Sequence, residues 1–340
     1  MKKFLSVFNG DKTFDVVGNY KIWFAVPAAL VLIGIIVFII FAVIGGSFGS
    51  GLNLGIDFTG GTILTVELGE DAIGDEYQAN ADKIRKVIED KELNVGYVQS
   101  SGEGSSAAIV VKYQGNFSEE EMEDLIEEIN AEIKALFPEQ YEKNETFISS
   151  EYIGATTSSD LIGRALLSVF IAGIAMLIYI IFRFEIFSGV TAVIALMHDV
   201  IIIFVFAILA RIQLNSSFIA VIITIIAYSI NNTIVIFDRV RENLKITPVT
   251  NHNSYADIVN KSIKETFTRS VNTTITTMLT ITMLAIFGVP VIRDFSLMII
   301  VGLVAGTFSS VCIAPTIYSL IRDSRNRKAN KPKYATSAKK

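Results

Sequence analysis

Six stretches of the chain are apolar for long enough to cross a bilayer as helix, which takes about 20 residues. They cover 22–44, 165–182, 186–210, 212–237, 271–292 and 295–321. Asp199 is the only formally charged residue inside any of them. The first stretch exceeds the 7–15 apolar residues typical of a secretory signal and follows a long polar leader, so it reads as a permanent anchor. Between the first and second stretches the pattern changes. Residues 62–68 alternate as a strand, and 77–93 repeat at helical spacing through Ile84, Val87 and Ile88. Residues 95–99 and 107–113 read as a hairpin pair around the turn 100–104. Ser118, with Glu121 three residues on, is a capping box for a helix to about Leu136, whose stripe is Met122, Leu125, Ile126, Ile129 and Ile133. Pro138 stops that helix, and 146–152 forms a last strand. The order β-α-β-β-α-β is that of a ferredoxin-like split unit.

Composition sharpens this division. Of 340 residues, 51% are hydrophobic and 19% charged, against roughly 25% charged in an ordinary soluble domain. Residues 45–160 hold 24 of the 34 acidic and 7 of the 29 basic side chains, a net −17, while the rest of the chain carries +12. The expected architecture is a six-helix membrane protein with one acidic α+β domain between the first and second spans. Lys and Arg mark the cytoplasmic side. Segments 1–21, 183–185, 238–270 and 322–340 hold 19 of the 29 basic residues. Both termini and the loop 238–270 are therefore expected inside, and the domain 45–160 outside. The acidic surface of that domain also reads as an ordinary solvated face.

Several classes of chemistry drop out. One cysteine, Cys312, allows no disulfide framework and reads as a packing residue; two histidines leave little for a zinc site. No phosphate-binding Gly-x-x-x-x-Gly-Lys run is present. No Ser/His/Asp or Cys/His set lies in the domain 45–160, which lacks histidine, and His198–Asp199 has no serine motif to serve. No basic patch is interleaved with aromatics, so nucleic acid is not an expected partner. An enzyme or a cofactor binder is not expected.

The informative chemistry is polar residues at membrane depth. An ionisable group there is costly and usually marks a wet cavity or an ion path. Asp199 reads either that way or as a packing hydrogen bond between spans. Thr224, Tyr228 and Asn232 recur every four residues in the fourth span, and Arg269, Thr273, Thr276 and Thr280 form a similar stripe at the fifth. Two facing stripes would line a proton or cation path; the other reading is helix-to-helix glue. Gly302 and Gly306 form a Gly-x-x-x-Gly pair for close packing.

The string Leu52-Asn53-Leu54-Gly55-Ile56-Asp57-Phe58-Thr59-Gly60-Gly61-Thr62 follows the first span. It resembles the signature of the SecD/SecF family, accessory subunits of the bacterial Sec export machinery, in which Gly55, Asp57, Phe58, Gly60 and Gly61 are the motif positions. Ala195–Asp199 resembles the family's third-span motif, Tyr228–Asn243 its fourth, and Glu265–Ser270 with the Thr-rich helix after it the start of its fifth. The match runs over most of the chain, from Phe14 to Arg322. The short leader and single small outer domain resemble the SecF branch rather than the SecD branch.

The resemblance implies six spans of the resistance-nodulation-division type in the bacterial cytoplasmic membrane. It implies a SecD partner, association with the SecYEG channel, and an outer domain that helps draw the preprotein outward on the proton-motive force. Asn232 stands where the family typically has an intramembrane aspartate. Three readings follow: the proton uses Asp199 or a SecD carboxylate, another cation such as sodium is used, or the subunit is uncoupled. Ion-coupling candidates are Asp199, Asn232, Arg269, Tyr228 and Thr273. A passive scaffold for SecD and a small-molecule or lipid transporter of the same superfamily are the rival readings.

Overall fold

A computed structural model describes residues 15–45, 48–69, 76–102, 104, 107–115, 117–183, 185–247, 249, 254–288 and 290–329. The leader up to residue 14, Glu103 of the predicted turn and the tail from residue 330 lie outside the described residues. The chain divides into an α+β unit, Leu54–Leu167 with Gln213–Ser216, and a helical unit containing the remainder.

In the α+β unit, strand β1 (Gly61–Glu67) is central, with β3 (Ala108–Gln114) on one side and β4 (Ile148–Ile153) on the other. The outermost strand, β2 (Asn94–Ser101), pairs with β3 across a bulge at Val95/Tyr97. All pairings are antiparallel, in the order β2-β3-β1-β4. Side-chain alternation selects the faces. Leu64 and Val66 of β1 and Ile109, Val111 and Tyr113 of β3 are buried in one core. They meet Ile84, Val87 and Ile88 of a helix at Tyr77–Glu89 and Met122, Ile129 and Ile133 of a helix at Glu119–Leu136. The predicted capping box is present: the Ser118 hydroxyl accepts from the Glu121 N–H, and the Glu121 carboxylate accepts from the Ser118 N–H at 2.9 Å. This is the ferredoxin-like arrangement read from the sequence. Pro138 ends the long helix but also opens a further short one, Pro138–Lys143, because its fixed φ suits a first turn.

The six long helices are, in order, α1 (Tyr20–Ile44), α7 (Ala155–Arg183), α8 (Ile186–Leu209), α9 (Ser216–Ile246), α10 (Tyr255–Phe287), and α11 (Pro290–Phe308) continued by α12 (Ala314–Ala329). The intervening numbers, α2 to α6, belong to Phe48–Leu52, Ile56–Thr59, Tyr77–Glu89, Glu119–Leu136 and Pro138–Lys143. Each long helix is long and apolar enough to cross a membrane.

Helix α8 packs against α1, α11 and α12. On α1 a Cβ at Gly34 would lie 2.7 Å from Val205 of α8, so only glycine permits that approach. The buried Trp23 indole donates to the Val16 carbonyl at 2.9 Å, and the Asn260 side chain accepts from the N–H groups of Val16 and Val17.

Helix extends well beyond the apolar windows. The segment 238–270, expected to be a loop, is mostly helical: α9 runs to Ile246 and α10 starts at Tyr255. Polar contacts hold these extensions together. Arg239 Nε is 2.6 Å from Glu265, Asn243 donates to Ser262 and Glu265, and Ser254 with Asp257 caps α10. Likewise α7 begins at Ala155, ten residues before its apolar window and inside the segment assigned to the outer domain. Hydropathy marks membrane depth, whereas a helix end is set by caps and partners.

Candidate functional site

Asp199 lies in α8 with a side-chain exposure of 0%. Its Oδ2 accepts hydrogen bonds from the hydroxyls of Ser229, on α9, and Ser309 (2.9 Å). Its Oδ1 lies 2.9 Å from Nδ1 of His198. Ser309 opens a one-turn π-helix, Ser309–Ile313, between α11 and α12, and all five of its residues are buried. Such π turns widen a helix locally and are frequent at functional sites. The next residue, Ser310, donates to the Ser229 carbonyl at 3.1 Å and pairs with Thr233 Oγ1 at 2.8 Å. Two successive serines thus bond to two different helices, α8 and α9. Cys312 is buried in the same turn, as expected of a packing residue.

Close packing makes these contacts possible. A Cβ on Gly306 would stand 3.0 Å from Cβ of Ser229, and one on Gly302 would stand 2.5 Å from Ile225. The Gly-x-x-x-Gly pair therefore seats α11 on α9 at the height of Ser229.

The order of groups excludes a hydrolytic relay. A serine nucleophile needs a base on its hydroxyl, with the carboxylate behind that base. Here the carboxylate touches both the serines and the histidine, and Nε2 of His198 is buried without a hydrogen-bond partner among the described residues. The serines that His198–Asp199 lacked in the sequence pattern are present in space, but as donors to a carboxylate.

The other predicted residues are distributed differently from the expected stripes. Thr224 is exposed, Tyr228 half-buried and Asn232 only 2% exposed, so the fourth-span stripe winds from the surface into the interior. Residues four apart are offset by about 40° on a helix, which produces this drift. Asn232 Nδ2 has no hydrogen-bond partner among the described residues. On α10, Arg269, Thr273, Thr276 and Thr280 are exposed, and the three threonine hydroxyls donate to carbonyls of their own helix. Tyr228 donates instead to Thr274, which pairs with Thr307. Asp199, Asn232 and Arg269 share no hydrogen bond or ion pair among the described residues. The sequence pattern missed Ser229, Ser309 and Ser310. Their spacing has no period, because they meet only when the helices cross.

The glycine-rich string after α1 forms α3 (Ile56–Thr59) and the start of β1. Gly60 and Gly61 have φ of +66° and +112°, a region that favours glycine, and a Cβ on Gly61 would lie 2.8 Å from the Tyr113 carbonyl. Beneath the string lies Lys112 of β3, 8% exposed, opposite Ile63 in the register. Its Nζ donates to the Leu54 carbonyl (2.9 Å) and to Thr59 Oγ1 (2.8 Å).

Burial pushes the Lys112 ammonium down to about 8 from its ordinary 10.5. Between these values the unfolded chain binds more protons than the folded one, so stability rises with pH across that window. Thermal unfolding of the full chain from pH 7.5 to 10.5 is expected to show this rise, and Lys112→Met is expected to remove it.

Comparison with known proteins follows the same lines. The family profile "Protein export membrane protein SecD/SecF, C-terminal" matches residues 133–324, and "SecD/SecF GG Motif" matches 45–72. The protein translocase subunit SecF of Calditerrivibrio nitroreducens is 34% identical over 96% of this chain and all of its own length. The protein translocase subunit SecDF of Bacillus subtilis is 32% identical over 90% of this chain and 38% of its own. The crystal structure of SecDF, a translocon-associated membrane protein from Thermus thermophilus, superposes with a TM-score of 0.70 at 29% identity. It covers 93% of this chain, which spans 39% of that longer one. Both curated relatives are translocase subunits, and a part in protein export is the role this chain shares with them. With more than half of its length matched by the family profile, and a full-length relative above 30% identity, the chain belongs to the SecD/SecF family of protein export membrane proteins.

Proposed function

We propose that this chain pairs with a SecD-type subunit and the SecYEG channel in the bacterial cytoplasmic membrane and promotes late, outer-side preprotein export on an ion-motive force. Its termini face the cytoplasm and its α+β unit faces outward. The observation that supports this reading most is the buried cluster around Asp199, joined from α8, α9 and the π turn by side-chain hydrogen bonds.

A carboxylate at membrane depth with hydroxyl donors is a place where an ion changes charge at low dielectric. The oxygen-rich surroundings suit a proton or a hard monovalent cation, since hard cations prefer oxygen ligands. Among the described residues no three His, Cys, Asp or Glu side chains group as a metal site. Asn232 has no proton to exchange, and Asp199 takes the coupling role in its place. Tyr228, Thr273 and Arg269 have positioning or partner-facing roles.

The SecD pairing rests on the polarity of α10. Arg269, Asn272, Thr273 and Thr276 are exposed, a face costly to set against hydrocarbon. A second membrane bundle covers such a face, and lipid covers the apolar remainder.

The test is preprotein export in membrane vesicles holding this subunit with its SecD, at saturating ATP, with proton and sodium gradients imposed separately. Faster export under one gradient names the ion. Equal export with and without either gradient would leave the scaffold reading standing instead.

A further inference from the structure

The glycine-rich string 52–62 has no part in the ion cluster, yet its contacts reach in two directions. Toward the sheet, Lys112 donates to the Leu54 carbonyl and to Thr59 Oγ1, and Gln114 Nε2 donates to the Gly60 carbonyl at 2.9 Å. The Thr59 hydroxyl in turn lies 3.0 Å from the Gly55 carbonyl, closing the turn. Toward the chain before α9, Leu54 pairs with Leu214 as an isolated parallel bridge, and the Gly55 N–H donates to the Leu214 carbonyl at 2.7 Å. A Cβ on Gly55 would lie 3.0 Å from that carbonyl, so a side chain there would press on the joint. Asp57 Oδ2 accepts from the Ser216 N–H at 2.6 Å. Ser216 is the first residue of α9, where the helix dipole favours a negative charge.

These contacts all fall inside the α+β unit, which includes Gln213–Ser216 although that segment is about 150 residues away in sequence. From Ser217 onward the same helix belongs to the helical unit and bears Ser229, a hydrogen-bond donor to Asp199.

We infer that the segment 54–62 is a clip fixing the first residue of α9 to the sheet of the α+β domain, with Asp57 and Lys112 as its positioning residues. A displacement of Ser216 is passed to the sheet through these backbone and short polar bonds. Its role in export rests on the reading proposed above; the clip itself does not. Burial lowers the proton affinity of Lys112, and its amine donates to the string at the Leu54 carbonyl and Thr59 Oγ1.

The test uses the full chain in lipid nanodiscs, followed by hydrogen exchange, beside the vesicle export assay with its SecD. Asp57→Ala is expected to speed exchange of amides in 213–217 at least tenfold while β1 to β4 stay protected. Asp57→Asn, which keeps a carbonyl acceptor, is expected to return that exchange to within about threefold of the unaltered chain. Lys112→Met is expected to loosen 54–60 in the same way. In vesicles, Asp57→Ala is expected to lose more than half of the gradient-stimulated export, with Asp57→Asn restoring it. Unchanged exchange at 213–217 in Asp57→Ala overturns the clip. Faster exchange with full gradient stimulation overturns its role in transmission. If the unaltered subunit shows no gradient stimulation, the export reading has failed, and the exchange measurements still decide the clip.

Discussion

Asp199→Asn is expected to abolish the gradient-stimulated increment of preprotein export while leaving the ATP-driven rate and the amount of subunit in the membrane unchanged. The substitution keeps the side chain's size and one acceptor oxygen, so the Ser229 and Ser309 hydroxyls retain a partner; it removes the charge that an ion would neutralise. A 100 mV potential acts on each transferred charge with about 2.3 kcal/mol, a bias of about fiftyfold on a two-state equilibrium. Losing a single coupling site therefore removes the whole increment rather than a fraction of it. Asp199→Ala is the structural counterpart. It strands the buried Ser229 hydroxyl, at about 1–3 kcal/mol, while Ser309 keeps the Gly306 carbonyl as an acceptor, and is expected to lower the subunit's abundance as well. The measurement is export rate against imposed gradient, normalised to subunit by immunoblot. Retained stimulation in Asp199→Asn would move the coupling group out of this chain and onto its partner.

Gly306→Leu is expected to produce the largest loss of stability from a single substitution in the bundle. Even a Cβ there would lie 3.0 Å from Cβ and 3.4 Å from Cα of Ser229, so the leucine must push α9 away as a whole. Overpacking of this kind costs about 1–3 kcal/mol. Losing the Ser229 bond to the Asp199 carboxylate adds about 1.5–3 kcal/mol. Together these are expected to lower the unfolding midpoint in detergent by roughly 5 °C or more and to remove gradient stimulation. Gly163→Leu serves as the control, since among the described residues a Cβ at Gly163 meets nothing within 4 Å beyond its chain neighbours and its own helix backbone. Helix propensity favours leucine over glycine at both positions, so an equal loss in both variants would mean that the bulk of the new side chain alone, not the seat on Ser229, sets the effect.

The two substitutions address different parts of one cluster. Asp199 supplies the carboxyl group, and Gly306 supplies the closeness that lets a serine on α9 reach it. Within the α+β unit, burial of Lys112 under the glycine-rich string shows the same dependence on a neighbour distant in sequence. The contacts of the string described above begin at Leu54, and their partners are Lys112, Gln114, Leu214 and Ser216.

Local physics made much of this protein legible in the sequence. Six apolar stretches about as long as a bilayer core is thick specify six spans, because hydrocarbon admits a backbone only with its hydrogen bonds made internally. Alternation in 62–68 and 107–113, the Ser118–Glu121 box and the stripe from Met122 to Ile133 specify strands and a helix, because each signal lies within a few residues of its effect. Where a helix ends beyond the membrane is not local in this sense: α9 and α10 extend through 238–270 because Arg239, Asn243 and Glu265 find each other across the pair.

Nor is the setting of Asp199 local. Ser229 lies 30 residues from Asp199 and Ser309 lies 110, and no spacing rule ties them together. The sequence placed a costly carboxyl in a membrane helix, a position where such a group needs partners. Only the tertiary structure decided its partners, since helix crossings at Gly302 and Gly306 and a π turn choose which side chains meet. It also separated Asn232, buried, from Arg269, exposed, two residues that periodicity alone had set on facing stripes.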